Sequence, residues 1–370
     1  MLLPLLASAA IVAGGVAVTV TLALAHHAHS TTAASAARTQ PGGSAGVPDP
    51  GPESALTSPM PKASDRAAVK PHPKSASAQP PPRASNCGPD PHLCGFPDAT
   101  NTGVPAGMNL VSVPAQASHG PGWSSDAQGN VTVFGAGAVF AGYSVHGVVT
   151  VTGSSATVRD DSIVNSGTDI NGDGVNLSGN PSNVTIEDVT MASPNGASGN
   201  GLFAGIKDIN GEAMGTRVLD NNIADASTGV QIYIGVIQDN YIHNITPAAP
   251  GSHLNGTTSN GSTVPLTIQH NTVFNPNGQT DAVSLFEDFG VEANVVINDN
   301  LLAGGGYTIY GGQNAGGPQA YNIKITNNRI STIYFPQGGF YGYITAFNPS
   351  APGNVWSGNV WDATGKPVSA

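Results

Sequence analysis

Past residue 158, apolar positions recur in two short phrases that alternate along the chain. The first appears as Asp173-Gly174-Val175-Asn176-Leu177, Asn200-Gly201-Leu202-Phe203-Ala204 and Thr228-Gly229-Val230-Gln231-Ile232. It continues as Asn255-Gly256-Thr257-Thr258-Ser259, Asp281-Ala282-Val283-Ser284-Leu285 and Tyr307-Thr308-Ile309-Tyr310-Gly311. Successive starts differ by 27, 28, 27, 26 and 26 residues, the mark of one structural unit stacked on itself. The second phrase has apolar ends around polar residues and Asn, as in Ile237 to Ile242, Ile268 to Val273, Ile297 to Leu302 and Ile325 to Ile330. A degenerate copy runs from Ile186 to Met191.

Each unit therefore carries two or three short strands, rich in Val, Ile and Thr and bounded by Gly, Asn and Asp. No 3.6-residue periodicity accompanies them. A unit of about 27 residues fits one turn of a three-strand coil, with each strand paired to its copy roughly 4.8 Å above and below. The pattern predicts an all-β, single-stranded parallel β-helix of about eight coils. Val175, Leu202, Val230, Val283 and Ile309 are expected to form one inner stack. The Asn column from Asn221 to Asn328 is expected to bond rung to rung and to serve the fold. Side-chain alternation predicts an outward column of Asn176, Phe203, Gln231, Thr258, Ser284 and Tyr310. A second column holds Ser178, Gly205, Tyr233, Asn260, Phe286 and Gly312.

The lead-in from Gly95 to Gly107, the Ser252-His253-Leu254-Asn255-Gly256 run, and Asp288-Phe289-Gly290 followed by Gly304 to Gly312 carry a resemblance. With the repeat, they resemble the bacterial secreted β-helix proteins of the pectate-lyase-like superfamily, in an actinobacterial subset. The resemblance spans about residues 95 to 365 and implies a right-handed coil that binds glycans along its strand stack. It does not choose an activity, because the superfamily includes lyases, hydrolases, esterases, epimerases and proteins without known activity.

Composition adds compartment and charge. Leu2 to Ala25 is almost wholly apolar or small and ends in Ala23-Leu24-Ala25, which suggests a signal peptide or a single N-terminal membrane anchor. Residues 26 to 94, rich in Ala, Ser and Pro, are expected to form a disordered linker, with the β-helix domain running from 95 to 370. The linker holds six basic and four acidic residues. The six basic and nineteen acidic residues beyond it leave that domain at −13. Such a charge disfavours nucleic acid. Cys87 and Cys94 are expected to close a disulfide loop in an exported protein, since His92 alone does not complete a metal site. A monomer at the cell surface or outside the cell is expected.

Aromatic rings, amides and hydroxyls on the outward columns suit sugars, whose C–H faces stack on rings and whose hydroxyls bond amides. Asn176, Phe203, Gln231, Tyr233, Asn255, Thr258, Asn260 and Tyr310 are the candidate binding residues. His253, Asp281, Glu287, Asp288 and Tyr307 fall within about three coils, the densest ionisable patch on this face, and are the candidate acid–base groups for cleaving a polysaccharide. The alternative is a glycan-binding or structural protein without turnover. Asn255 stands where the resembling proteins carry Asp, and their Asp-Asp and Gly-His-Gly hydrolase motifs are missing. Of the coil's cations, only Lys207 comes near the outward columns, which disfavours an Arg-based lyase and leaves a Tyr/His mechanism. No cofactor is required. Asp169, Asn171 and Asp173 match the first half of a calcium loop, but Asn180 replaces the closing Glu, so an Asx-rich turn is favoured over calcium.

Overall fold

The structure is a computed structural model that describes residues 86–166, 170–313 and 316–370. The apolar segment Leu2 to Ala25, most of the linker and Asp169 lie outside the described residues. The chain forms an all-β, right-handed parallel β-helix, the sense that parallel crossovers prefer. Three sheets of nine, ten and eleven strands run along its axis. Its coils outnumber the recognisable phrases. Earlier rungs such as Val131–Val133 and Val149–Val151 pair in the same ladder without the Gly-based phrase that marks the later ones.

The first phrase supplies the sheet that carries the site. Its rungs are Val175–Leu177, Leu202–Asp208, Ala226–Gln231, Asn255–Ser259, Asp281–Leu285 and Tyr307–Gly311. The second phrase turns the chain from one of the other sheets to the next. Ile268 ends in one sheet, Asn271 holds the turn and Val273 starts the other. The degenerate copy at Ile186 forms a full rung, with Ile186 and Met191 both buried in the core.

The predicted Asn column is a hydrogen-bonded ladder. Asn221, Asn240, Asn271, Asn300 and Asn328 each pass a backbone N–H and a side-chain amide to the next Oδ1, ending at Asn359, at 2.9–3.0 Å. Asp220, Asp239, Asp299 and Asn327, one residue before ladder positions, have φ between 53° and 58°. Asp and Asn tolerate that left-handed region, which explains the polar pair in the phrase.

One register expectation fails. Val175 pairs with Ile206 and not with Leu202, and Ile206 pairs with Val230. Thr257 continues the inner stack between Val230 and Val283. The outward column therefore reads Asn176, Lys207, Gln231, Thr258, Ser284, Tyr310, and Phe203 sits four residues earlier on the same strand. Glycine stacking decides this. A Cβ on Gly174, Gly205 or Gly229 would lie 2.5–2.6 Å from the carbonyl oxygen of the glycine one rung on. Only Gly205 puts a glycine in that column; Gly201 would put it out of line.

Both ends of the described coil are covered. At the start, Trp123 is buried on a strand that pairs antiparallel with both of its neighbours. At the finish, Trp356 and Trp361 occupy the rungs above Ile325 and Ile330, and Trp356 Nε1 donates to the Val368 carbonyl at 2.6 Å. These bulky rings cover an apolar end that would otherwise be bare.

Cys87 and Cys94 are joined, with Cα atoms 5.6 Å apart, and are buried with Phe96, Phe274, Leu301 and Ala303. Residues 86–94, assigned to the linker by composition, thus pack on the coil. Asp362 ties them to the last rung. Its Oδ2 accepts from Gly88 N at 2.8 Å, its carbonyl from Asn86 N at 2.9 Å, and its Oδ1 from Arg329 Nε at 2.7 Å. No helix among the described residues is long and apolar enough to cross a membrane.

Candidate functional site

A cleft of about 850 Å³ opens on the site sheet. Its floor is Ala204, Lys207, Thr228, Gln231, Asn255 and Thr258. The turns that precede the strands form one wall, through Ser252, His253, Gln279, Thr280 and Gly306. The turns that follow them form the other, through Asn260, Phe286 and Asp288. Tyr310 and Tyr341 line the far end. From the Lys207 rung to the Tyr310 rung is four ladder steps, or about 19 Å along the axis.

The walls are held by buried hydrogen bonds. Asn275 is fully buried and its Nδ2 donates to the carbonyls of Leu254, Gln279 and Asp281 at 2.7, 3.1 and 2.8 Å, which clamps the His253 turn to the Gln279 turn. On the opposite wall, Gly261 N donates to Glu292 Oε1 at 2.7 Å and Phe289 N to the Asn260 carbonyl at 2.9 Å. A Cβ on Gly261 would meet the Gly290 backbone at 2.3–2.7 Å, so this loop pair closes only with glycine there. Burial pushes Glu292 up to about 7, and the Glu287 carboxylate adds to the rise.

Of the residues singled out in the sequence, Phe203, Gln231, His253, Asn255, Thr258, Asn260, Asp288 and Tyr310 line the cleft. The others do not. Asn176 lies on the rung before Lys207, outside the cleft, and is buried. Tyr233 is buried too, and its hydroxyl accepts from Gln231 Nε2 at 3.2 Å and Asn260 Nδ2 at 3.3 Å, so it supports the cleft's amides from behind. Tyr307 packs between Tyr310 and Tyr341, with ring centroids 5.7 and 5.8 Å away. Glu287 follows its strand, with Oε1 buried.

Asp281 needs the largest correction. It is fully buried. Burial holds the carboxyl well above the usual carboxylate range, outweighing the Ser284 hydroxyl and the Gly256 N–H. Asp281 is therefore sealed beneath the cleft and not a solvent-side base. Burial, and then the nearby Asp281 carboxyl, also push the Tyr310 hydroxyl up.

Sequence reasoning missed Lys207, Phe286 and Tyr341 as members of one site. Lys207 Nζ lies 4.6 Å from the centre of the Phe203 ring, a cation–π contact inside the cleft. The signal was present: Ala204-Gly205-Ile206 repeats the small-Gly-aliphatic phrase four residues after Asn200-Gly201-Leu202, and choosing it brings Lys207 into the column.

The calcium expectation gains no support. Asp169 lies outside the described residues, and the carbonyls of Asn171 and Asp173 both accept from Asn165 Nδ2 at 2.8 Å. Asn171 is exposed while Asp173 is fully buried. Among the described residues, no three His, Cys, Asp or Glu gather as metal ligands.

Comparison with protein-family models, curated proteins and solved structures finds no match.

Proposed function

We propose that this is an exported, carbohydrate-active β-helix protein that grips a stretch of polysaccharide along the site sheet. One observation carries the reading: an elongated cleft that runs along the strand stack and is lined by rings and neutral amides and hydroxyls, among them Phe203, Gln231, Asn255, Thr258, Asn260 and Tyr310. Rings take the C–H faces of sugars, and amides and hydroxyls take their hydroxyls. A buried disulfide suits a chain folded in an oxidising compartment and supports export. The resemblance to the pectate-lyase-like superfamily agrees with the same reading.

Cleavage is the first chemistry to test. The acid–base groups that line the cleft are His253 and Asp288, with Lys207 as its cation. With Asp281 buried and outside the cleft lining, a two-carboxylate mechanism built on it loses one partner. That burial favours a second reading, a glycan binder without turnover.

A panel of plant, fungal and bacterial cell-wall polysaccharides separates them, with binding, new reducing ends and unsaturated products all measured. The enzyme reading expects turnover that His253→Ala or Asp288→Asn lowers by about a hundredfold or more while binding is kept. Binding without product supports the second reading. No binding to any polymer rejects both.

A further inference from the structure

The cleft does not end at Tyr310. Ring contacts continue outward in an unbroken series: Phe286 to Tyr310 at 5.3 Å, Tyr310 to Tyr307 at 5.7 Å, Tyr307 to Tyr341 at 5.8 Å, Tyr341 to Phe340 at 4.8 Å and Phe340 to Phe335 at 5.7 Å. The outermost rings are open to solvent, Phe340 being 50 % and Tyr341 66 % exposed.

The loop that carries them is nevertheless fastened. Phe340 N donates to the Gly305 carbonyl at 2.8 Å, Tyr341 N to the Gly306 carbonyl at 2.7 Å, and Gly304 N to the Gly338 carbonyl at 2.9 Å. Gln337 Nε2 donates to the Phe340 carbonyl at 2.6 Å. Phe340 lies against Gly278, where a Cβ would stand 3.0–3.1 Å from the ring, so the cleft wall is cut back to seat it. Large rings held rigidly and left exposed mark a binding surface.

The chemistry of the occupant can be narrowed. From Ile330 to Trp361 the chain has no Asp, Glu, Lys, Arg or His. An anionic lipid surface needs basic residues, and protein interfaces carry a polar rim around their apolar centre. Here the ring faces are accompanied by glycine, amides and tyrosine hydroxyls, a set that matches uncharged sugar rings.

We infer that Phe340 and Tyr341, with Phe335 behind them, form an outer platform that binds an uncharged stretch of polysaccharide leaving the cleft past Tyr310. This rests on the glycan reading above and adds to it a direction, a minimum length and a charge class. The cleft alone takes about four sugar rings if each spans about one ladder step. The platform engages only longer chains.

The test uses oligosaccharides of two to ten sugars from cellulose, xylan, mannan, chitin and β-1,3-glucan, with oligogalacturonates as the charged comparison. Affinities are measured by calorimetry on wild-type protein, Tyr341→Ala and Phe340→Leu; the leucine keeps apolar bulk but has no flat face. The expected result is that one neutral series gains about tenfold or more in affinity between four and eight sugars. Phe340→Leu then removes most of that gain and leaves the tetramer within about twofold. A gain that survives both substitutions, or affinity independent of length, overturns the platform and leaves the glycan reading standing. So does preference for the charged series with Phe340→Leu unchanged. A wild-type dimer in sedimentation that Phe340→Leu converts to monomer overturns it as a protein interface. No binding to any series overturns both.

Discussion

Asp281 shows how far a side chain's surroundings can depart from its chemical promise. It begins a site strand, one rung from Asn255 and close to Tyr310, yet it is sealed from solvent. A carboxyl without a cationic partner stays protonated in such a place. Asp281→Asn preserves shape and polarity, so folding stability at neutral pH is expected to change by less than about 1 kcal/mol, and glycan affinity by less than about threefold. Denaturation curves and calorimetry check this. A drop in affinity beyond about tenfold would mean that a negative charge acts here after all. His253 and Asp288 were legible as cleft groups because they sit in turns beside the repeat. Burial of Asp281 was not, since alternation along a strand does not say what covers its first residue.

The Asn ladder was legible as a column of identical residues, and its bonding follows from geometry. Asn271 shows what each rung holds. Its Oδ1 takes two donors from Asn240, and its Nδ2 donates to the Ile237 and Gln269 carbonyls and to Asn300 Oδ1. Asn271→Ala leaves buried donors on Asn240 unpaired and is expected to destabilise the fold by about 3 kcal/mol or more in urea titration. A loss under about 1 kcal/mol would show that water replaces the bonds. The site strand Leu202–Asp208 was harder to read. Two overlapping phrases fit the period there, and only the stacking of Gly205 between Gly174 and Gly229 selects one. The four-residue difference moves Phe203 out of its expected column and Lys207 in.

Stability of the entire coil should carry the signature of its buried acid. Glu292 holds its proton up to about pH 7 when folded, against 4.5 for an ordinary side chain. Between those values the folded state binds more protons, so its contribution is complete below about 4.5 and is lost as pH rises through about 7. The upper bound is on the order of 3 kcal/mol. Half-buried His243, lowered to about 4 by loss of solvent, acts in the opposite direction, adding stability as pH rises from about 4 to 6.5. Comparison with Glu292→Gln isolates the acid, because glutamine still accepts from Gly261 N. Urea midpoints of the two proteins should coincide at about pH 4 and separate by about pH 8, with wild type the less stable. Parallel profiles would exclude a buried proton on Glu292. The loop it anchors carries Asp288, so the cleft wall shares this dependence.

The period, the strand-rich phrases and the Asn column were enough for the chain by itself to determine a parallel coil. Each is a local regularity that stacking of identical units must satisfy. The chain also determined part of the cleft's lining, such as Gln231, Thr258 and Tyr310, because a residue's place in the phrase sets its face of the strand. Tertiary structure alone decided the register of the Leu202 strand, the sealing of Asp281, the packing of the cysteine loop on the coil and the joining of distant rings from Phe286 to Phe335. These depend on contacts between rungs and loops far apart in sequence, where steric fit and access to water select among arrangements that the repeat allows equally.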